Sequence, residues 1–331
     1  MNVVEALRLP GIEAALERVE ESLKASTAGE DPFLAEVAVH LVRAGGKRLR
    51  PALVLAAASA CGAGPDTPEP VVQGAVAVEL VHLGSLYHDD VMDDATSRRG
   101  VVSANARWGN LVAILAGDFL LARASEIAAS LGTEVAALLA RTIGQLCEGE
   151  VGQLRYAFDP RRTEDSYFSS IAGKTASLMA TAARIGGLTA GAPRDQVDAL
   201  TDFGYSIGMA FQIWDDIRDL VSNEEDLGKP AGHDMVEGTY TLPVLRALAA
   251  PGIGEDLAAL LGSPLDAPSR DKAKDLVLST DAISSSIATG REWAERADAA
   301  LAPLRQASPA ATHIEVLGSV GYRLLDELTV S

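Results

Sequence analysis

Aromatic residues and cysteines are scarce in this sequence of 331 residues. Only 5% of the residues are aromatic, whereas 48% are hydrophobic, so the core must be built mostly from alanine, leucine and valine. That composition favours helices over sheets. The two cysteines, Cys61 and Cys147, provide no disulfide framework, which predicts a protein of the reducing cytoplasm.

Basic residues and long apolar runs are also scarce. The 28 lysines and arginines stand against 46 aspartates and glutamates, which gives a formal net charge of -18. A field of that sign argues against general nucleic-acid binding. The longest apolar runs, such as residues 111–117, are far too short to span a bilayer, and the N-terminus lacks the pattern of a signal peptide. The sequence therefore predicts a soluble protein.

Helical periodicity is present in nearly every segment between glycine- and proline-containing breaks, and no strand-period run of useful length is found. The predicted long helices cover residues 70–94, 108–130, 133–156, 163–188 and 195–221. Residues 222–240 lose the pattern over a stretch too long for a simple connection, which predicts a functional loop or lid. We therefore predict a single all-α domain over residues 1–331, a bundle of long helices around a central cavity.

Two segments of the form Asp-Asp-x-x-Asp end two of these long helices, at residues 89–93 and 215–219. Residues four apart lie on one helix face, so Asp89 and Asp93 share a face, and Asp215 and Asp219 share another. One such motif is more often a solvated turn or a helix cap. Two at the ends of apolar helices favour a site for hard divalent cations, most naturally Mg²⁺ with phosphate oxygens.

Positive charge is concentrated where an anionic ligand would need it. Residues 37–65 contain no acidic residue but include Lys47, Arg48 and Arg50, and the pair Arg98-Arg99 follows the first acidic motif. Taken singly, each of these residues is an ordinary solvated charge. Together with the acidic motifs they indicate metal-assisted handling of a diphosphate.

Six motifs in order resemble those of the trans-isoprenyl diphosphate synthases, or polyprenyl synthetases. They are Gly-Gly-Lys-Arg-Leu-Arg-Pro at 45–51, the first acidic motif with Arg-Arg-Gly at 98–100, Gly-Lys-Thr at 173–175, Phe-Gln at 211–212, the second acidic motif, and Gly-Lys-Pro at 228–230. The resemblance implies an all-α homodimer that uses Mg²⁺ to add isopentenyl diphosphate head-to-tail to an allylic diphosphate. A very apolar product would allow at most peripheral membrane contact.

The resemblance also implies roles for individual residues. The metal ligands would be Asp89, Asp90, Asp93, Asp215, Asp216 and Asp219. The allylic diphosphate would be held by Arg98, Lys174 and Lys229. The diphosphate of isopentenyl diphosphate would be held by Lys47, Arg50, His82 and Arg99. The oxygens of Thr175 and Gln212 would face the reacting allylic cation, next to Lys174.

Product length is expected to depend on side chains one turn before Asp89. The small residues Gly84 and Ser85 would form the floor of the chain-growth cavity, where short-chain members carry bulky aromatics. This resemblance predicts a product longer than fifteen carbons. One departure from the family pattern is Thr239, which stands where many relatives carry a lysine that contacts the allylic diphosphate.

Two alternative functions remain open at this point. A class I terpene cyclase also uses an acidic helix and Mg²⁺, but it has no need for the basic residues at 45–51, and its second motif is usually less rich in aspartate. A non-catalytic regulatory subunit would lend its fold to a partner, but it would have no reason to keep both acidic motifs.

Overall fold

The computed structural model describes residues 12–64, 66–222, 231–307, 310–326 and 328. Helices dominate these residues, which confirms the predicted all-α class. The helices are, in chain order, α1 (Ile12–Ser26), α2 (Pro32–Arg43), α3 (Leu49–Ala60), α4 (Glu69–Met92), α5 (Ala104–Trp108), α6 (Asn110–Ser130), α7 (Thr133–Leu154), α8 (Glu164–Ile171), α9 (Ser177–Thr189), α10 (Arg194–Val221), α11 (His233–Val236), α12 (Leu242–Leu248), α13 (Gly254–Ala258), α14 (Ala267–Leu278), α15 (Ala282–Ala300), α16 (Ala302–Ala307) and α17 (Ala311–Asp326).

Helix α4 lies at the centre of the larger hydrophobic core. It packs against α3, α6 and α9, and most of its residues from Val71 to Tyr87 are buried. A helix that is apolar on several sides must be covered on several sides, so the sequence itself requires a central position. Its last turn leaves the core and carries Asp89 and Asp93 out into a cavity.

Helix α10 carries the second acidic motif and joins two hydrophobic cores. Its first half packs on α9 within the larger core, and its last turns contribute Ile213 and Ile217 to a smaller core with α8, α12 and α14. Small residues bring α10 close to its neighbour: a Cβ on Gly208 would lie 2.6 Å from the Cα of Ala176. The second acidic motif is therefore held by packing on both sides.

That one domain spans residues 1–331 stays a prediction.

Three local features differ from the predicted helices. Gly109, at φ +88°, splits the predicted helix over 108–130 into α5 and α6, because that backbone conformation suits glycine. A π-helical turn, Ala172–Ala176, interrupts the predicted helix over 163–188. The Arg-Arg-Gly segment at 98–100 is the tip of a two-stranded hairpin formed by β1 (Ser97–Arg98) and β2 (Val101–Val102), which is too short to show a strand period.

Of the predicted lid over residues 222–240, residues 223–230 lie outside the described residues. The remainder contains the short helix α11, followed by a segment that reaches α12. Across the part of the chain that the structure describes, no helix is both long enough and apolar enough to cross a membrane.

The crossing of α3 and α9 provides a test of the packing. A methyl group on Gly186 would overlap the carbonyl oxygen of Val54 and lie 2.8 Å from the Cβ of Ala57. We expect Gly186→Ala to lower the free energy of unfolding by about 1–3 kcal/mol, because the two helices must separate. Gly144→Ala is the matched control, since that glycine lies in α7 with nothing near its Cβ, and we expect it to stabilise by about 0.5–1 kcal/mol. Denaturant unfolding of both variants decides; a Gly186→Ala protein as stable as the wild type would contradict the packing.

Candidate active site

The structure brings the two acidic motifs together across one cavity. Asp89 and Asp93 at the end of α4, and Asp215 and Asp216 near the end of α10, line a cavity of about 340 Å³. Helix α7, helix α8 and the π-helical turn complete its walls. Because both helices are anchored in hydrophobic cores, the carboxylates are held facing one another by packing and not by mutual attraction.

The other two aspartates of the motifs lie behind the cavity wall. Asp90 is fully buried, and its Oδ1 accepts a hydrogen bond from Nε of Arg98 at 2.6 Å. Asp219 is buried too, and its Oδ2 accepts from the backbone N–H of Asp234 at 3.2 Å. Neither lines the cavity among the described residues. Their contacts fix the hairpin and the α11 segment to the two acidic helices.

Asp216 lines the cavity but has both carboxylate oxygens engaged. The hydroxyl of Tyr167 donates to its Oδ2 at 2.6 Å, and Nε2 of Gln212 donates to its Oδ1 at 2.8 Å. The hydroxyl of Thr175 donates in turn to Oε1 of Gln212 at 2.6 Å. Burial, with the charge of Asp234, raises the pKa of Asp216 well above its usual value despite these bonds. This chain of bonds links the π-helical turn to the second acidic motif.

The first acidic motif is under electrostatic strain. Burial raises the pKa of Asp89 to about 6, and the charges of Glu150 and Asp93 act in the same direction against the opposing charge of Lys174. Burial raises the pKa of Asp93 as well. An excess of buried negative charge is therefore concentrated here, which a divalent cation would relieve.

Lys174 provides a cation in the wall of the same cavity. Its Nζ lies 2.6 Å from Oε2 of Glu150. Burial alone would lower the pKa of Lys174, but the charges of Glu150 and Asp89 outweigh it and the pKa is raised. Lys174 is thus a fixed positive charge beside the first acidic motif, on the side where Arg98 also lines the cavity.

The donor set fits divalent cations that are shared with a diphosphate. Among the described residues, no three acidic, histidine or cysteine side chains converge closely enough to hold a metal ion by themselves. Mg²⁺ characteristically takes one or two carboxylates and completes its octahedron with water and phosphate oxygens. Asp89 and Asp93 on one wall and Asp215 on the other match that requirement, because they supply hard oxygen ligands and leave space between them.

A second cavity, of about 530 Å³, adjoins the first. The two share Asp89, Glu150, Leu154, Lys174 and Thr175. The remaining lining is partly basic and largely apolar, and it consists of Arg50, His82, Ser85, His88, Val91, Met92, Ile114, Asp118, Leu146, Cys147 and Val151. A ligand with a charged head and an apolar tail would have its head at the first cavity and its tail in the second.

Three of the four residues predicted to hold the second diphosphate lie in one basic cluster. Burial, followed by the charges of Arg50 and Arg99, lowers the pKa of His82 well below its usual value, so the imidazole is neutral. A guanidinium nitrogen of Arg99 donates to the carbonyl oxygen of Gly45. Lys47, by contrast, is exposed on the segment before α3 and lines neither cavity.

The centre of this basic cluster is a carboxylate that the sequence analysis missed. Glu79 is 1% exposed, and Arg48 donates to its Oε1 at 3.0 Å while Arg99 lies at 4.0 Å. Arg48 also bonds to Glu20 of α1. A lone acid in the otherwise apolar stretch of α4, one turn before His82, is a signal that could have identified it.

Other cavity residues were missed for a different reason. Their positions in the chain follow no motif, and only the fold brings them to the acidic cavity: Glu150, Arg162, Tyr167, Asp234 and Glu237. No local pattern could have revealed them. Lys229, predicted to hold the allylic diphosphate, lies outside the described residues.

Of the two predicted floor residues, only Ser85 lines the second cavity. Gly84 faces α6 instead, where an added Cβ would meet the carbonyl oxygen of Gly117 at 3.0 Å and Leu121 at 3.1 Å. The expectation that Gly84 forms the floor is therefore corrected: this position of α4 faces the crossing with α6 and not the second cavity. A bulky residue there would force α4 and α6 apart before it filled the cavity.

The fold and the site together define an all-α enzyme of the isoprenoid synthase type. The chain matches the family model described as polyprenyl synthetase over residues 31–276. It is 42% identical over 267 residues to the nonaprenyl diphosphate synthase of Mycobacterium tuberculosis, which covers 80% of this chain and 79% of that protein. It is 43% identical over 286 residues to the heptaprenyl diphosphate synthase component 2 of Geobacillus stearothermophilus, which covers 85% and 87%.

A solved structure agrees with these sequence matches. The polyprenyl synthase from Caulobacter crescentus CB15, complexed with calcium and isoprenyl diphosphate, superposes with a TM-score of 0.87 at 34% identity over 97% of each chain. The chain therefore belongs to the polyprenyl synthetase family. The family and the reaction class predicted from the motifs, prenyl transfer, are confirmed.

The raised pKa of Asp89 predicts a conflict between stability and function. Its folded-state pKa of about 6 lies above the unfolded value, so its charge destabilises the fold above about pH 6, and this cost disappears below about pH 4. We expect Asp89→Asn without divalent cations to raise the free energy of unfolding by about 1–3 kcal/mol near pH 7.5 and by almost nothing near pH 4. Asp202→Asn, an exposed change on α10, is the control and should leave the free energy of unfolding unchanged at both pH values. Urea unfolding at both pH values is the measurement, and a less stable Asp89→Asn near pH 7.5 would contradict the electrostatic assignment.

Proposed function

We propose that this chain condenses isopentenyl diphosphate head-to-tail with an allylic diphosphate and makes a product longer than fifteen carbons. The observation that carries the proposal is the pair of acidic helix ends facing one another across a cavity that adjoins a second, largely apolar cavity. The named functions of the relatives, nonaprenyl and heptaprenyl diphosphate synthases, support the same class of product.

The reaction breaks the carbon–oxygen bond of the allylic diphosphate, and the electron pair leaves with the diphosphate. The double bond of isopentenyl diphosphate supplies the electrons of the new carbon–carbon bond, and a proton is then lost, with the released diphosphate as the base. Mg²⁺, when bound, would neutralise charge that develops on the leaving group. Asp89, Asp93 and Asp215 would hold it, with Asp216 fixed behind them by Tyr167 and Gln212.

Fixed cations would bind the two diphosphates separately. Arg98 and Lys174 line the acidic cavity and would hold the allylic diphosphate, and Lys229 is proposed for the same duty. Arg50, His82 and Arg99 would hold isopentenyl diphosphate, with Lys47 from the exposed segment before α3. Cations aimed at the leaving group stabilise the transition state because they need no reorganisation when charge develops.

The oxygens near the reacting carbon atoms belong to Thr175 and Gln212. They bond to one another, so the hydroxyl proton of Thr175 is already donated to Gln212. A lone pair of the Thr175 oxygen then remains to face an allylic cation next to Lys174. This arrangement supports the predicted role of the three residues in the reaction.

The basic cluster argues against a terpene cyclase, which has no second diphosphate to hold.

A homodimer is proposed because α6 exposes apolar side chains on one face, including Leu111 at 79% and Leu115 at 61%. One relative is named as a component of a synthase, so a second type of subunit is the alternative partner. A purified chain that elongates substrates alone would exclude that alternative. The cytoplasmic location stays a prediction.

Turnover should depend on both acidic motifs. We expect Asp89→Asn and Asp215→Asn each to lower the rate by at least about 10²–10³-fold, because each removes charge that would hold the metal at the leaving group. Asp202→Asn, on the same helix as Asp215, should keep the wild-type rate. Purified proteins are incubated with Mg²⁺, isopentenyl diphosphate and allylic starters of increasing length, and the products are sized by mass spectrometry. Full rates in both variants would refute the metal assignment, and a wild-type product of fifteen carbons or fewer would refute the proposed product class.

Product length should respond to Ser85. Its side chain lines the second cavity one turn from Asp89, so Ser85→Phe fills the space into which the chain grows, and we expect shorter products at a comparable initial rate. Ser284→Phe, an exposed change on α15, is the control for added bulk elsewhere. The same product analysis provides the measurement. An unchanged product distribution in Ser85→Phe would show that the chain grows in another direction.

A further inference from the structure

A buried arginine stands in the wall of the acidic cavity, and no carboxylate of the described residues pairs with it. Arg162 precedes α8, is 5% exposed, and lines the cavity with Asp216 and Asp234. It follows no sequence motif, and none of the roles assigned above uses it. Arg162 stands between α7 and α8, whereas Lys174 lies in the π-helical turn that follows α8 and Arg98 lies on the hairpin.

The guanidinium of Arg162 is only partly satisfied. Its Nη1 donates to the carbonyl oxygen of Tyr240 at 3.1 Å, but Nε and Nη2 are buried and have no hydrogen-bond acceptor among the described residues. No described carboxylate lies within the 4.0 Å of an ion pair. An arginine stays protonated in proteins, and buried N–H groups without acceptors are costly. The group is therefore suited to an acceptor that arrives with a ligand.

The neighbouring acid is not free to become that acceptor. The guanidinium carbon of Arg162 lies 5.7 Å from the ring centre of Tyr167, whose hydroxyl donates to Asp216. Both oxygens of Asp216 are engaged, by Tyr167 and by Gln212. The network thus keeps the arginine close to the second acidic motif without neutralising it. The planar fork of an arginine matches two oxygens of a phosphate.

We propose that Arg162 is a further diphosphate-binding residue, which holds the allylic diphosphate in the acidic cavity together with Arg98 and Lys174. The inference rests on the proposed function, since it concerns the same substrate. Its bond to Tyr240 also joins the diphosphate to the segment of Thr239 and Thr241, which lines the cavity. Binding would give the two unpartnered N–H groups their acceptor.

The neighbouring residue supplies a matched control. Arg161 has a side chain that is 87% exposed and pairs with Asp159 at 2.9 Å, so Arg161→Gln removes the same charge one position away. Calorimetry measures the binding of inorganic diphosphate in the presence of Mg²⁺. We expect Arg162→Gln to weaken that binding about tenfold or more, which corresponds to about 1.4 kcal/mol, and Arg161→Gln to leave it unchanged. In kinetics, the KM for the allylic substrate should rise and the KM for isopentenyl diphosphate should not.

Arg162→Lys separates binding from folding. It keeps the charge but loses the fork, so its affinity for diphosphate should fall between those of the wild type and Arg162→Gln. A purely structural role would lower the melting temperature of both Arg162 variants and leave the dissociation constant at the wild-type value, which would overturn the proposal. If the wild type neither binds diphosphate with Mg²⁺ nor elongates substrates, the proposed function itself fails. If the wild type binds diphosphate and elongates substrates, and the Arg162 variants do both equally well, this inference alone fails.

Discussion

The confinement of several carboxylates in one buried cavity is the constraint on which the rest of the structure depends. Asp89 and Asp93 lie at the C-terminal end of α4, and Asp215 lies near that of α10. The helix dipole is negative at this end, so the backbone adds to the repulsion and does not relieve it. The hydrophobic anchoring of both helices, with the charge of Lys174 beside them, holds such groups together in the absence of metal ions. Because the packing keeps these like charges close together, the cavity has an affinity for positive charge.

The acids that do not face the cavity serve this constraint. Asp90 and Asp219 bond to the hairpin and to the α11 segment. Asp216 does line the cavity, but both of its carboxylate oxygens are held by Tyr167 and Gln212. Each motif thus divides its aspartates between the cavity and the framework. In the first motif the division follows from the helix, since adjacent residues point about 100° apart. Asp89 and Asp93 face the cavity while Asp90 holds the hairpin, whereas in the second motif Asp215 and Asp216 line the cavity and Asp219 holds the α11 segment.

Local sequence was sufficient to predict the all-α class, the long helices and the shared face of Asp89 and Asp93, because each of these follows from periodicity within one helix. It did not predict that Asp215 and Asp216 line the cavity while Asp219 does not. It could not predict the direction of Gly84, which faces α6 because Gly117 lies opposite, or the pairing of Glu79 with Arg48 across three helices. Those outcomes depend on which helices become neighbours. The π-helical turn could not be predicted for the same reason. The close contact of Gly173 with Gly149 on α7 leaves no recognisable pattern in the sequence of either segment.

The charges of the two half-sites explain how one chain can distinguish two diphosphates. In the basic cluster, three arginines face Glu79, one of them also pairs with Glu20, and the neutral His82 adds no charge, so the net charge is positive. A diphosphate can bind there directly to guanidinium groups. In the acidic cavity the net charge is negative, so a diphosphate can bind only together with divalent cations. In the proposed reaction, leaving-group activation would therefore be confined to the acidic side, and the substrate on the basic side would keep its diphosphate while its double bond reacts. Because Arg50 lies within electrostatic reach of Asp89, the opposite charges of the two half-sites also attract one another.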